Sequence, residues 1–444
     1  EIYHNILGMT PTIAYVNEQA YGAGLLAHYK KAGYLAIIME WNNPAHFHPE
    51  WDNELSYYPQ IAEDQQNRAL PVIWNNSTHF QRFQRYIHDE IDAKQYFSYI
   101  NPHASAGRYI CIYGSDAEVF DFRPGRFHVE AALSKVGEYN KIYSLFEKFS
   151  KDESFHFVLP SEVLLCKPNT HSFNKLHLES AIEPLPVKKQ EKYNIGRWGL
   201  AGRKTVEKNT DCYKIYAYLK KNPNAPQNLW KELCYFWSSD FRTHTETKKE
   251  KKMITRLSKK IKNICRNHIQ KEHKESVKSS PFHFKGIRIK KDKTHIFVTS
   301  KKINLVLNSK RGLTIENLVF NEVSTTPLIT TLSQGYFNDN DFNAYFFSGH
   351  STIDIPGFKK MTDLSPINPT FKTFSSNGEN GVTVTGLIPF GYGTVNKSIS
   401  IFSESSKIKI NYIFSPKIWT TNSDNSIPKV LSLLTTSTVE VFAF

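Results

Sequence analysis

The sequence predicts an α/β domain of βα repeats, then a helical region, then an all-β module. Three observations carry this: short apolar runs near the start with helical segments between them, longer amphipathic stretches in the middle, and β-branched alternating runs at the end. At 444 residues the chain is about three times a typical domain of roughly 150, so two or more domains are expected, each able to bury a core.

The runs TIAYV at 12–16, YLAIIM at 34–39, PVIW at 71–74 and YICIY at 109–113 are nearly continuous in hydrophobicity. Such runs mark strands buried on both faces of a parallel sheet. The stretches 22–32 and 80–97 fall between them and can form crossover helices. Polar residues follow the strands directly: Asn17 and Glu18, then Glu40, Trp41 and Asn42, then Asn75 and Asn76, then Asp116 and Glu118. Folds of this class bind ligands at the C-terminal ends of parallel strands. Four strands are too few to close a barrel, so either further strands lie in less obvious sequence or a first part of the polypeptide is missing.

From about residue 130 to 267 the pattern turns helical, over 139–149, 208–219 and 228–237. The interval 171–191, with Pro184 and Pro186, reads as an extended crossing segment, and Ser279, Ser280 and Pro281 mark a linker. Beyond it strands are expected in 287–300, 303–308, 313–322, 351–357, 381–389, 398–403, 408–415 and 437–444, most simply as an antiparallel sandwich. Gly312 is expected to relieve a turn in the LNSKRGLTIENLVF stretch. The domain boundaries are thus 1–135, 136–278 and 279–444.

Hydrophobic residues at 40% and charged residues at 22% exclude a disordered chain, and aromatics at 14% point to an aromatic lining. No run approaches the roughly 18 consecutive apolar residues needed to span a bilayer, and no signal peptide is visible. Five scattered cysteines without a CxxC pair suit reduced thiols, so a cytoplasmic protein is expected. Much of the +14 net charge falls on one basic amphipathic stretch, 248–274. A solvated helix closing a domain explains it; a polyanion or membrane-surface contact is the alternative, and no nucleic-acid module accompanies it. The basic helix and the aromatic-rich β module could also cover a homo-oligomeric interface.

Glu18 follows one buried strand and Asp116 follows another almost a hundred residues later. Acids at the ends of separate parallel strands can converge over one mouth, which suits glycosidic bond cleavage by a nucleophile and a proton donor. Strand-end acids also cap helices or pair with arginines, and Glu118 competes with Asp116 for the role. His46 and His48, with Glu50 nearby, invite a metal, but no HExxH or comparable complete set accompanies them, so no metal and no cofactor is expected.

Three stretches carry a family resemblance: PTIAYVNEQAY around Glu18, YGSDAEVFDF around Asp116, and CYFWSSDFR at 234–242. Over roughly residues 1–260 the chain resembles glycoside hydrolase family 57, a group of α-glucan-active enzymes. The resemblance implies an incomplete (β/α)7 barrel, a following helical region and further β-rich domains. It implies Glu18 as nucleophile and Asp116 as acid/base of a retaining mechanism, with carboxyl groups about 5 to 5.5 Å apart. The two acids would then end the fourth and seventh barrel strands. The family's first strand, with an HQP-type histidine motif, has no counterpart before Glu18, so a separate or cleaved N-terminal segment is expected to complete the barrel.

Sugar rings present C–H faces to aromatics and hydroxyls to polar groups, so Trp41, Trp74, Tyr21, Phe120 and Trp237 are candidates to line subsites, each against a core role. His79, Glu118, Arg197, Trp198, Asp240 and Arg242 are candidate polar or stacking contacts, against helix-start packing or local ion pairs. Asp339, Asp341 and His350 lie in a loop-rich interval that could extend a cleft or edge the sandwich. The expected partner is a carbohydrate substrate. A binding or assembly protein without turnover, and a metal-dependent deacetylase or mannosidase-like barrel, are the competing readings.

Overall fold

The computed structural model describes residues 2–16, 19–105, 107–114, 119–121, 137–180, 205–238, 241, 245–275, 282–331, 347–353, 361–376, 378–390, 393–416 and 436–442. The chain divides into two compact units, Glu1–Lys192 with Ile355–Lys359, and Tyr193–Asp354 with Lys360–Phe444.

In the first unit the elements run α1 (Ile2–Leu7), β1 (Ile13–Tyr15), α2 (Leu26–Lys31), β2 (Ala36–Glu40), α3 (Asn42–Ala45), β3 (Gln60–Glu63), β4 (Ala69–Asn75), α4 (Ser77–Ile87), α5 (Ala93–Ile100), α6 (Glu138–Lys151), α7 (Pro160–Val163) and β5 (Lys175–Leu176). The sheet order is β1-β2-β4-β3-β5. The three apolar runs 12–16, 34–39 and 71–74 do form adjacent parallel strands, with Ile13 opposite Ala36 and Glu40 opposite Asn75. Ile37, Met39 and Val72 are wholly buried between flanking layers, which is why these runs read as continuous rather than alternating. A short helix follows each of β2 and β4 directly.

The fourth expected strand, 109–113, is corrected: described residues 107–114 carry no strand. The edge of β4 away from β2 is taken by β3, which runs antiparallel to it. A tight turn makes that hairpin: Asp64 Oδ1 accepts from the backbone N–H groups of Gln66 and Arg68, each at 2.9 Å, and Asn67 adopts φ +62. Ile110, Ile112 and Tyr113 instead pack against the cluster built from α4, α5 and α6. Among the described residues the sheet is therefore open and mixed, with one parallel trio and no closed barrel.

Helix α4 starts where Asn76 caps it, accepting from the Thr78 N–H at 2.9 Å. It ends before Asp89, at φ +62, and α5 restarts with a capping box between Asp92 and Gln95. The single crossover helix suggested by 80–97 is thus two helices.

The second unit opens with α8 (Thr205–Lys221), α9 (Gln227–Trp237) and α10 (Thr247–Glu275). Met253, Leu257 and Ile264 of α10 pack with Cys212, Ile215, Leu219, Leu233 and Phe236. The basic stretch is therefore the polar side of a helix whose apolar stripe is filled. Glu232 takes Arg256 at 3.2 Å and Lys260 at 2.6 Å from that side.

Two antiparallel sheets follow. One is β6 (Phe282–Phe284), β7 (Ile287–Lys291), β8 (His295–Thr299), β9 (Ile303–Asn308), β10 (Thr314–Phe320) and β11 (Ile329–Thr330), paired in chain order. After the short pair β12 (Thr352–Ile353) and β13 (Met361–Thr362) comes the other, β14 (Thr370–Ser376), β15 (Glu379–Phe390), β16 (Gly393–Phe402), β17 (Lys407–Pro416) and β18 (Thr436–Phe442). Strand β16 buries every second residue, the half-buried pattern its sequence shows. Strand β14 lies outside the expected runs, although the Asn377-Gly378 dipeptide after it is a strong short hairpin signal in the sequence and Gly378 has φ +76. Gly312 turns at φ +59, and a Cβ there would lie 1.7 Å from the Asp363 carbonyl oxygen, so glycine is required for approach as well as for the turn. Lys397 and Asp363 are both buried and paired at 2.9 Å, and Lys397 also donates to the Gly349 carbonyl at 2.6 Å.

Candidate functional site

The polar residues that end the parallel trio form one connected group in the first unit. Glu40, the last residue of β2, is 4% exposed. Its Oε1 accepts from the Ser77 N–H at 2.7 Å and from Asn42 Nδ2 at 3.1 Å. Ser77 begins α4, so the carboxylate meets an unpaired helix N–H. Burial raises the Glu40 carboxyl above the usual carboxylate range, and these hydrogen bonds only partly offset it.

The backbone N–H of Glu40 donates to Gln19 Oε1 at 2.6 Å. Gln19 is buried at φ +57, and its own N–H returns to the Val16 carbonyl at 3.0 Å. The residue that follows Glu18 in the chain is thus anchored to the end of β2.

Opposite Glu40 stands Asn75, the last residue of β4. Asn75 Nδ2 donates to the Tyr15 hydroxyl at 3.1 Å, across the intervening β2. Its Oδ1 is buried without a hydrogen-bond donor among the described residues. A Cβ on Gly114 would lie 1.9 Å from Asn75 Nδ2, so only glycine lets that backbone approach so closely. Gly114 precedes Asp116 by two residues. The described neighbours of both expected acids therefore meet one registered pair, Gln19 at Glu40 and Gly114 at Asn75.

Glu18, Asp116, Glu118, Arg197, Trp198, Asp240, Arg242, Asp339 and Asp341 themselves lie outside the described residues. Trp41 and Trp74 are brought together, ring centroids 5.1 Å apart, with Trp51 5.4 Å from Trp41. They are 3% and 4% exposed, so their faces are spent on one another and on the core beneath the strand ends. The Trp74 indole N–H is buried without an acceptor among the described residues, as is the Tyr21 hydroxyl. Phe120 is wholly buried in the helical cluster. Trp237 belongs to the second unit, where its indole N–H donates to Asn209 Oδ1 at 3.1 Å.

His79, on the first turn of α4, is buried and hydrogen-bonded through Nδ1 to the Tyr99 hydroxyl at 2.7 Å. Burial, and then the neighbouring His103, lower its pKa from 6.5 to about 4, so the ring is neutral near pH 7. His103 pairs likewise with the Tyr57 hydroxyl at 2.5 Å, and Arg108 stacks over Tyr57 while held by both oxygens of Glu54. None of Tyr15, Gln19, Tyr57, Tyr99, His103, Glu54 or Arg108 was legible as a site residue. Their pairings join residues from 20 to 60 positions apart, which no local pattern encodes. His48 is placed against Glu50 at 3.0 Å and stacked on Trp51 at 4.3 Å, while His46 packs edge-on to Phe47. His350 Nδ1 lies 2.6 Å from the Phe347 carbonyl oxygen, in the second unit. Among the described residues no three His, Cys, Asp or Glu side chains gather as a metal-binding set.

No family model matches the chain, and no curated protein sequence matches it. Solved structures give distant likenesses. A 4-α-glucanotransferase from Thermococcus litoralis is 12% identical, with 95% of this chain and 72% of that one covered, at a TM-score of 0.40. An α-amylase from Thermotoga maritima is 13% identical over 60% of this chain and 61% of its own, at 0.37. An α-mannosidase from Enterococcus faecalis is 8% identical over 93% and 61%, at 0.40. The chain thus spans less than two thirds of the length of the latter two. All three TM-scores lie below 0.5. No helix among the described residues is long and apolar enough to cross a membrane.

Proposed function

We propose that the chain is a retaining glycoside hydrolase or transglycosylase acting on an oligo- or polysaccharide, with Glu18 as nucleophile and Asp116 as general acid/base. The observation that supports this is the convergence of Gln19 and Gly114 on the registered pair Glu40 and Asn75, since these residues flank the two acids in sequence. Residues next to both acids in sequence meet adjacent parallel strand ends, the kind of approach that a two-carboxylate reaction needs.

In this reading Glu18 attacks the anomeric carbon as Asp116 protonates the departing glycosidic oxygen, leaving a glycosyl ester on Glu18. Asp116, now a carboxylate, takes a proton from water or a sugar hydroxyl, which displaces Glu18 and restores both acids. Glu40 acts as a positioning residue through its backbone N–H on Gln19. Trp41 and Trp74 form the apolar support under the strand ends, and His79 and Glu118 are the candidate substrate contacts of the same unit.

The test is a glycan cleavage screen of the full chain with Glu18→Gln and Asp116→Asn, joined to mass spectrometry after a 2-deoxy-2-fluoro glycosyl fluoride. Both variants should lose cleavage by 10³-fold or more, in the range that loss of a catalytic group causes, and the label should sit on Glu18. Wild-type binding of glycan without any cleavage would leave a carbohydrate-binding or assembly protein. Cleavage or deacetylation abolished by chelator and indifferent to both substitutions would leave the metal-dependent reading.

A further inference from the structure

The second unit holds an open cleft of about 420 Å³ lined by Lys291, Asp292, Lys293, Ser309, Lys310 and the segment 366–368. Three turns build it: the β7–β8 turn, the β9–β10 turn, and the stretch before β14, whose Ile367 N–H donates to the Ser309 carbonyl at 2.8 Å. Lys291 and Lys293 are exposed and Lys310 is half-buried. None of these lysines has an acidic partner among the described residues, although other surface lysines of this unit do, such as Lys260 on Glu232. The one acid in the lining is committed elsewhere. Asp292 Oδ1 accepts from the N–H groups of Thr294 at 2.7 Å and His295 at 2.6 Å, fixing the turn that presents the lysines.

We propose that this cleft binds an anionic saccharide, a sugar chain carrying carboxylate or sulfate groups. Resting on the carbohydrate reading above, it narrows the substrate or ligand class. Among the described lining residues the cations outnumber the carboxylate three to one, so a neutral glycan would leave them unused. Lysine is a point charge on a flexible stem, suited to anionic groups spaced along a chain, where a single planar group would favour arginine. Pro366 and Ile367 offer an apolar wall to the C–H face of a sugar ring, and Asn368 offers an amide to its hydroxyls. Among the described residues the lining contains no aromatic residue, and so no stacking platform of the kind that single-stranded nucleic acid needs.

The full chain and the K291A/K293A/K310A triple variant are compared by titration calorimetry with oligogalacturonate, heparin-derived oligosaccharide, neutral maltooligosaccharide and a single-stranded oligonucleotide. Wild type should bind at least one of the two acidic saccharides, with affinity falling as salt rises. The triple variant should bind it at least tenfold more weakly while keeping its circular dichroism spectrum and its neutral-glycan behaviour. Equal affinity of variant and wild type for both acidic saccharides, or no binding of either by wild type, overturns the proposal. Lysine-dependent binding of the oligonucleotide with none of the saccharides also overturns it, in favour of a nucleic-acid partner. Loss of cleavage in Glu18→Gln is read separately. If the lysines bind acidic saccharide while Glu18→Gln changes nothing, the catalytic reading falls and the cleft stands.

Discussion

Asn75 and Tyr15 are hydrogen-bonded across β2, the Asn75 amide donating to the Tyr15 hydroxyl at 3.1 Å. The bond ties the outer members of the parallel trio together at their C-terminal ends, and Gly114 packs against the same amide. A methyl group at 114 has nowhere to go unless Asn75 yields. Gly114→Ala is therefore expected to cost about 1–3 kcal/mol of stability through overpacking. Adding Asn75→Ala should recover much of that loss, so a double-mutant cycle on urea midpoints should show strong coupling; simple additivity would refute the contact.

Glu40 separates charge from hydrogen bonding. Burial raises its pKa in the folded state, so stability is lost as the pH rises from the ordinary carboxylate value to the raised one, and the cost is complete above it. Glu40→Gln keeps an oxygen for the Ser77 N–H without the charge, and is expected to raise the melting temperature at pH 7. The gain should shrink as the pH falls and the wild-type carboxyl protonates. Glu40→Ala leaves the Ser77 N–H without its acceptor and is expected to lose about 1–3 kcal/mol. A glutamine variant less stable than wild type at pH 7 would show that the charge itself is stabilising.

His79 supplies a pH dependence of known sign. The unfolded imidazole takes a proton near 6.5, but the folded ring not until about 4, because burial and His103 oppose its charge. Its contribution is constant above about pH 6.5 and is lost as the pH falls from there to 4, by up to roughly 3 kcal/mol. The depressed pKa of His103 acts in the same direction. Urea denaturation at pH 7.5 and 5 should show this slope, and His79→Gln should flatten it; an unchanged slope would place the effect elsewhere.

Lys397 and Asp363 form a pair with 0% and 1% of their side chains exposed. Removing one partner strands the other charge, so Lys397→Met or Asp363→Ala should cost about 3–5 kcal/mol. The double replacement Lys397→Met with Asp363→Leu should be far less damaging than the singles predict. Calorimetry resolving the second unit checks this, and a double variant as unstable as the sum of the singles would contradict it.

The sequence by itself determined the three parallel strands, helices α2, α6, α8, α9 and α10, and most strands of the two antiparallel sheets. Each is specified locally: continuous apolar runs such as 34–39 demand burial on two faces, the α10 stripe at Met253, Leu257 and Ile264 repeats at helical spacing, and β16 alternates. Capping residues such as Asn76 and Asp92 add their own short-range instructions. Only the tertiary structure decided which strand takes the free edge of β4. There the Asp64 turn closes a hairpin with β3, and the side chains of Ile110, Ile112 and Tyr113 are spent on the helical cluster. It alone joined Gln19 to Glu40, Gly114 to Asn75, His79 to Tyr99 and the three lysines around one cleft. Local propensity acts over a few residues, whereas these contacts form between distant parts of the chain and exist only once strand order and loop closure have brought them together.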